Sequence, residues 1–145
     1  MLKAVHNYRF KRQTGKFGVF VGVTAHALRQ TTPPMRADHI SGRVWLDTSE
    51  VTDGFRGTSL TLSQNQIEWL QTGLRHVADA ITGAEPTAHL VVVIDALEIV
   101  EMDYVDEALA PAIAGWAAQE FGFADRPVDI RFDDQTNQCF VSWPG

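Results

Sequence analysis

The sequence predicts a small layered domain, a sheet covered by two helices over about 64–82 and 107–121, and three stretches predict it. Leu90-Val-Val-Val-Ile94 is an unbroken aliphatic run of strand length, the pattern of a central strand covered by other elements. Ile67, Leu70, Leu74, Val77 and Ile81 recur on one helical stripe, and Leu109, Ile113, Trp116, Ala117 and Phe121 on a second. Near the end of the chain Val128-Asp-Ile-Arg-Phe132 alternates with period two, and Asp133 to Asn137 reverse it into Gln138 to Trp143, the pattern of a β-hairpin.

Taken in order, the chain opens with a short strand from Lys3 to Phe10. Gln13-Thr-Gly-Lys-Phe-Gly18 then breaks it as a loop or hairpin turn, since glycine accepts backbone angles that other residues resist. Phe17, Val19, Val21, Val23 and Ala25 alternate with Gly18, Phe20, Gly22 and Thr24, a long strand whose second face is partly glycine and open to close approach. Thr31-Thr-Pro-Pro34 marks an extended loop, Gly42 to Leu46 a short strand, and Phe55 to Leu62 another, with Thr58, Leu60 and Leu62 aligned. Ser63 and Gln66 open the first helix as a capping box, in which each side chain satisfies a backbone donor of the first turn, and Gly83 stands where a C′ glycine ends it. Off its stripe lie Trp69, read as edge-packed, and His76, read as exposed. The 90–94 strand continues with polar and apolar residues alternating to Val100, and a charged turn follows. Gly122 ends the second helix, while Pro111 requires that helix either to start near Leu109 or to kink.

At 145 residues and 45% apolar content, the chain suits one domain spanning 1–145. Its single cysteine, Cys139, forms no intrachain disulfide and reads as a core residue of a strand, which suits a reducing compartment. No secretory leader is legible at Met1 to His6 and no run approaches the ~20 apolar residues of a spanning helix, so the expectation is a cytoplasmic protein with no membrane partner. The formal charge of −6 is uneven: residues 1–84 carry +4 and residues 85–145 carry −10, and Lys3, Arg9, Lys11, Arg12 and Lys16 crowd the first sixteen positions.

Candidate chemistry is sparse. Glu98, Glu101, Asp103, Asp106 and Glu107 form the densest acidic cluster, able in principle to hold a hard cation or supply an acid and base. They lack the spacing of a calcium loop, and at a strand-to-helix turn carboxylates also serve as helix caps. His6, His26, His39, His76 and His89 show no metal-binding spacing, and no nucleophile elbow, phosphate loop or dinucleotide fingerprint is present. The expectation is therefore no enzyme, no cofactor and no metal.

One stretch extends into a longer pattern. Lys11-Arg-Gln-Thr-Gly-Lys-Phe-Gly-Val-Phe-Val-Gly-Val23 resembles the start of domain IV of translation elongation factor G, with Gln13, Thr14, Gly15, Gly18, Phe20 and Val23 in matching places. Ile67 to Leu74 is similar to the family's first helix, Leu97 to Asp106 to its strand-to-helix turn with Val105 and Asp106 matched, and Ala112 to Ala114 to the helix after it. Lys16 and Phe17 replace the family's second glycine and arginine, Val19 its glutamine, Val100 a glycine, and Asp103 its tip histidine. The scaffold is thus retained and the contact residues differ.

The resemblance implies an α+β fold, a two-layer sandwich of a mostly antiparallel sheet of the ribosomal protein S5 domain 2-like type. It also implies that the loops at Gln13 to Gly18 and Glu101 to Asp106 share one end of the sheet. With no GTP-binding domain in the sequence, the expected function is a stand-alone, non-enzymatic binding or adaptor module related to translation. Its candidate binding residues are Arg12, Gln13, Thr14, Gly15, Lys16, Gly18, Glu101, Asp103 and Asp106. A protein partner is favoured. The alternatives are ribosome or RNA binding through the basic N-terminal arm, with Arg9 and Lys11 beside Arg12 and Lys16, and a small enzyme or cation site at the acidic 98–107 turn.

Overall fold

Period-two burial builds the sheet around its two longest strands. In β1 (His6–Thr14) Phe10 is buried, and in β2 (Phe17–Gln30) Val19, Val21, Val23 and Ala25 are buried, all facing the helices. The computed structural model describes residues 5–14, 17–123, 129–133, 135 and 138–142. Three short strands follow: β3 (Asp38–Ser41), β4 (Val44–Asp47) and β5 (Thr52–Asp53). After helix α1 (Gln64–Ala84) comes β6 (His89–Ile99), then helix α2 (Leu109–Phe121) and the strands β7 (Asp129–Asp133) and β8 (Gln138–Ser142).

The sheet runs β1, β2, β6, β4, β3, with β5 beside β6. Antiparallel pairs join β1 to β2, β2 to β6 and β3 to β4, while β4 and β5 run parallel to β6. The fold is therefore α+β, a two-layer sandwich with a mostly antiparallel sheet and two helices. The aliphatic 90–94 run is its central strand, as the sequence predicts. A bulge sits in β6 where Thr24 faces Ala96 but Ala25 faces Ile94, so Asp95 is the extra residue, and its carboxylate lies 2.6 Å from Nδ1 of the buried His26.

Helix α1 starts as its capping box dictates: the Gln66 N–H donates to Ser63 Oγ at 3.1 Å and the Ser63 N–H to Gln66 Oε1 at 2.8 Å. Leu70, Leu74, Val77 and Ile81 are buried against the sheet. Its end differs from expectation. Gly83 lies inside the last turn, and the Glu85 N–H closes the helix on the Ile81 carbonyl at 3.1 Å. His76 is half-buried rather than exposed, and Trp69 packs at the core margin.

Pro111 is accommodated because α2 starts at Leu109, after a 3-10 turn at Asp106–Ala108. Proline there falls within the first turn, where backbone N–H groups have no partner inside the helix. Gly122 ends the helix in the left-handed conformation (φ 73°), its N–H donating to the Ala118 carbonyl. The two helices touch through Gly73, where a Cβ would overlap the Ala110 carbonyl oxygen.

Three further differences follow from turn chemistry and pairing. Residues 55–62 form no strand, because Asp53 Oδ1 accepts the N–H groups of Phe55 and Arg56 and turns the chain, leaving one bridge from Thr52 to Ser59. The first strand runs on through Gln13 and Thr14, which pair with Gly18 and Phe17. The second continues to Gln30, pairing with β6 as far as His89. The C-terminal hairpin forms as read, as a separate two-stranded sheet with Ile130 in the core. The side chain of Cys139 lies outside the described residues. Among the described residues no helix is long and apolar enough to cross a membrane.

Candidate functional site

Strand register brings the two tips together. At the end of the first ladder Lys11 faces Phe20, Arg12 faces Val19 and Gln13 faces Gly18. β6 runs beside β2 as far as Ile99 opposite Val21, then bends at Glu101–Asp103, a 3-10 turn closed by the Asp103 N–H donating to the Val100 carbonyl at 2.9 Å. That turn comes back against the hairpin. A Cβ at Gly18 would lie 2.9 Å from Gln13 Oε1 and 3.4 Å from Asp103 Oδ1, so the bare backbone is what lets the amide and the carboxylate approach.

Lys11, Arg12, Gln13, Gly18, Val19, Phe20 and Asp103 line a cleft of about 380 Å³. Aromatic rings orient its cations. Lys11 Nζ is 5.6 Å from the Phe20 ring centre, and the Arg12 guanidinium is 4.3 Å from that of Phe10 while Nη1 donates to the Lys11 carbonyl at 2.7 Å. Such contacts are worth ~0.5–1 kcal/mol at exposed sites, enough to bias direction and little more. Phe20 also stacks on Phe55, ring centres 6.5 Å apart, and Phe55 is 57% exposed. The cleft thus offers two cations, one carboxylate and an apolar wall.

The acidic turn does not act as one group. Asp103 is exposed and lines the cleft, whereas Asp106 accepts hydrogen bonds from the Tyr104 hydroxyl and from Asn65 Nδ2, both at 2.6 Å, and fastens the turn to the start of α1. Gln66 Nε2 donates to the same Tyr104 oxygen at 3.0 Å. Burial first, then the hydrogen bond to Asp106, pushes the Tyr104 phenol above its ordinary range, and burial with Asp106 alongside raises the Glu107 carboxyl. Glu98 points to the first half of β1, to Asn7 and Arg9. Among the described residues no three His, Cys, Asp or Glu side chains are placed to hold a metal ion.

Of the residues read from sequence, Arg12, Gln13, Gly18 and Asp103 come together. Asp106 is turned away to α1. Thr14 and Glu101 contribute backbone to β1 and the 3-10 turn, with side chains outside the described residues, and Gly15 and Lys16 lie outside them altogether. Val19 and Phe20 were not read as site residues, although the alternation of β2 already sets Phe20 on the face shared with Gly18 and Gly22.

Fold and cleft together define a two-layer α+β domain with a tip built from a hairpin and a strand-to-helix turn. No protein-family model and no curated protein matches the sequence. A crystal structure of a protein from Thermus thermophilus shares the fold, with a TM-score of 0.51 and 14% identity over 79% of this chain. This chain spans 15% of that longer protein.

Proposed function

We propose that this chain is a cytoplasmic, non-enzymatic binding or adaptor module with the scaffold of elongation factor G domain IV, docking a protein partner at its tip cleft. The ordered matches from Gln13 to Ala114 support the kinship, and the shared fold of the Thermus protein agrees with it at the level of architecture. The observation that carries the reading is Asp103 set against Gly18 and Gln13, which joins two distant segments into one cleft with cations on its other wall. A photo-crosslinker at position 20, used in native lysate, tests it. The expected result is a defined protein captured by the parent chain and lost with Lys11→Glu. Equal capture by both removes the tip as the docking surface.

A second reading, RNA binding related to translation, is favoured by the exposed Phe55 stacked on the half-buried Phe20 beside Lys11, since accessible rings next to cations accept unpaired bases. Asp103 in the same cleft opposes it, because a carboxylate repels phosphate. Removing the charges of Arg9, Lys11, Arg12 and Lys16 separates the two: RNA affinity that falls steeply with salt and vanishes in this variant supports the second reading, and salt-indifferent binding removes it.

A further inference from the structure

We propose that the tip is self-complementary and that its occupant is a second copy of this chain, docked about a two-fold axis so that Lys11 of each copy meets Asp103 of the other. This rests on the reading of the cleft as a docking surface and names what docks there. Lys11 and Asp103 are both exposed and both line the cleft. Among the described residues neither has an ion-pair partner, whereas Arg9 is held by Glu98 and Arg29 by Glu85. A two-fold axis makes every contact reciprocal, so a surface that carries both an exposed cation and an exposed anion satisfies both at once against its own copy. A uniformly acidic partner would meet Asp103, and a uniformly basic one would meet Lys11.

Apolar surface on the same turn supplies the rest of the contact. Met102 is 92% exposed between Asp103 and the end of β6, and Val100 is 37% exposed beside it. An unbranched thioether adapts to an irregular cavity, and a cleft of about 380 Å³ walled by Val19 and Phe20 has room to receive it from the facing copy. The charge of −6 on each chain repels at long range, but at ~0.15 M salt the screening length is ~8 Å, so contact pairs decide the outcome. The tip is small beside the ~1,000 Å² that stable interfaces bury, so the dimer forms and dissociates with concentration.

Charge exchange tests this without knowledge of any other ligand. Sedimentation equilibrium of the full chain at high concentration and ~0.15 M salt reads the mass of the parent, of Lys11→Glu, of Asp103→Lys and of the two variants mixed one to one. Each variant alone sets like charges face to face and is expected at monomer mass. The mixture restores both pairs, Glu against Lys and Asp against Lys, and is expected to regain the dimer. A parent monomeric at every concentration, a single variant that associates like the parent, or a mixture that stays monomeric each overturns the proposal. Both positions are exposed, and circular dichroism confirms that the variants fold. Should the masses show no dimer while Lys11→Glu still abolishes the position-20 crosslink to another protein, self-docking falls and the docking reading stands.

Discussion

The side chain of Glu98 lies across Gly22. Glu98 is 7% exposed on the sheet face opposite the helices, and it reaches over the neighbouring strand to β1, where its carboxylate accepts from Asn7 Nδ2 at 2.8 Å and from Arg9 Nε and Nη2 at 3.3 and 3.2 Å. A Cβ at position 22 would overlap Oε1 and lie 2.9 Å from the Glu98 Cβ and Cδ. Gly54 flanks the other side, where a Cβ would come within 2.5 Å of Glu98 Cγ. Two glycines thus form the slot through which a buried carboxylate ties the first strand to the third in sheet order. The brace sits on the strand that carries Lys11, Arg12 and Gln13 to the tip.

Gly22→Ala therefore displaces Glu98 and parts it from Arg9. Fitting a methyl into a filled site costs ~1–3 kcal/mol, which outweighs the ~0.5–1 kcal/mol that alanine recovers from glycine's greater chain entropy in a strand. Urea unfolding should show the loss, and it should shrink in a Glu98→Ala background, where the carboxylate is gone and only the Cβ contact remains. An equal cost in both backgrounds would show that the strand backbone, not the carboxylate, resists the methyl.

Gly73→Ala sets two effects of opposite sign against each other. In an open helix the change gains ~1 kcal/mol of helix propensity. Here the new methyl overlaps the Ala110 carbonyl oxygen and lies 2.5 Å from Ile113 Cγ2, and backbone cannot swing aside as a side-chain end can. Separating α1 from α2 disturbs the packing of Leu74, Val77 and Ile113, so a net loss of ~1–3 kcal/mol is expected in thermal unfolding. A stabilised variant would contradict the close approach.

What was legible in the sequence was what local chemistry decides. The Ser63 and Gln66 cap, the apolar stripe of α1, the buried run of β6 and the Gly122 stop each act within a few residues and stand as read. β4 is the short strand that the sequence offers at 42–46, whereas β3 and β5 are four and two residues long and exist because β4 and β6 hold them, so no period announces them. Residues 55–62 alternate like a strand, yet the Asp53 carboxylate turns the backbone first. At the tip, Gln13, Gly18 and Asp103 followed from the resemblance, but neighbours in sequence to Asp103 were grouped with it too. The direction of Asp106 is settled by Asn65, which lies on another element.

Glu107 gives a pH signature. Burial first, with Asp106 adding to it, holds its carboxyl above the ordinary carboxylate range, so the folded chain binds the proton more tightly than the unfolded chain does. A raised carboxyl contributes stability that is fully present below its unfolded value of ~4.3 and is lost as pH rises through the folded value. Glu107→Gln should therefore raise the melting temperature at pH 7 and leave it unchanged near pH ~4. A lower melting temperature at pH 7 would mean that its place in the first turn before α2, favourable to a negative charge, outweighs the burial.

Tyr104 and Asp106 hold the strand-to-helix turn against α1, and their coupling is measurable. Tyr104→Phe leaves Asp106 Oδ1 and Gln66 Nε2 each without the hydroxyl that joins them, and Asp106→Ala leaves that hydroxyl and Asn65 Nδ2 without an acceptor. Each single change should cost ~0.5–1.5 kcal/mol, the usual net worth of a hydrogen bond between groups that are only part-buried. The two together should cost less than the sum, because removing both partners strands fewer groups than removing each in turn. The same pair sets an alkaline limit. Burial and Asp106 keep the phenol protonated beyond its ordinary value of ~10, so as pH rises above that value the parent loses more stability than Tyr104→Phe does. Parallel pH curves for the two proteins, or additive costs in the cycle, would mean that Tyr104 packs at the turn without bonding Asp106.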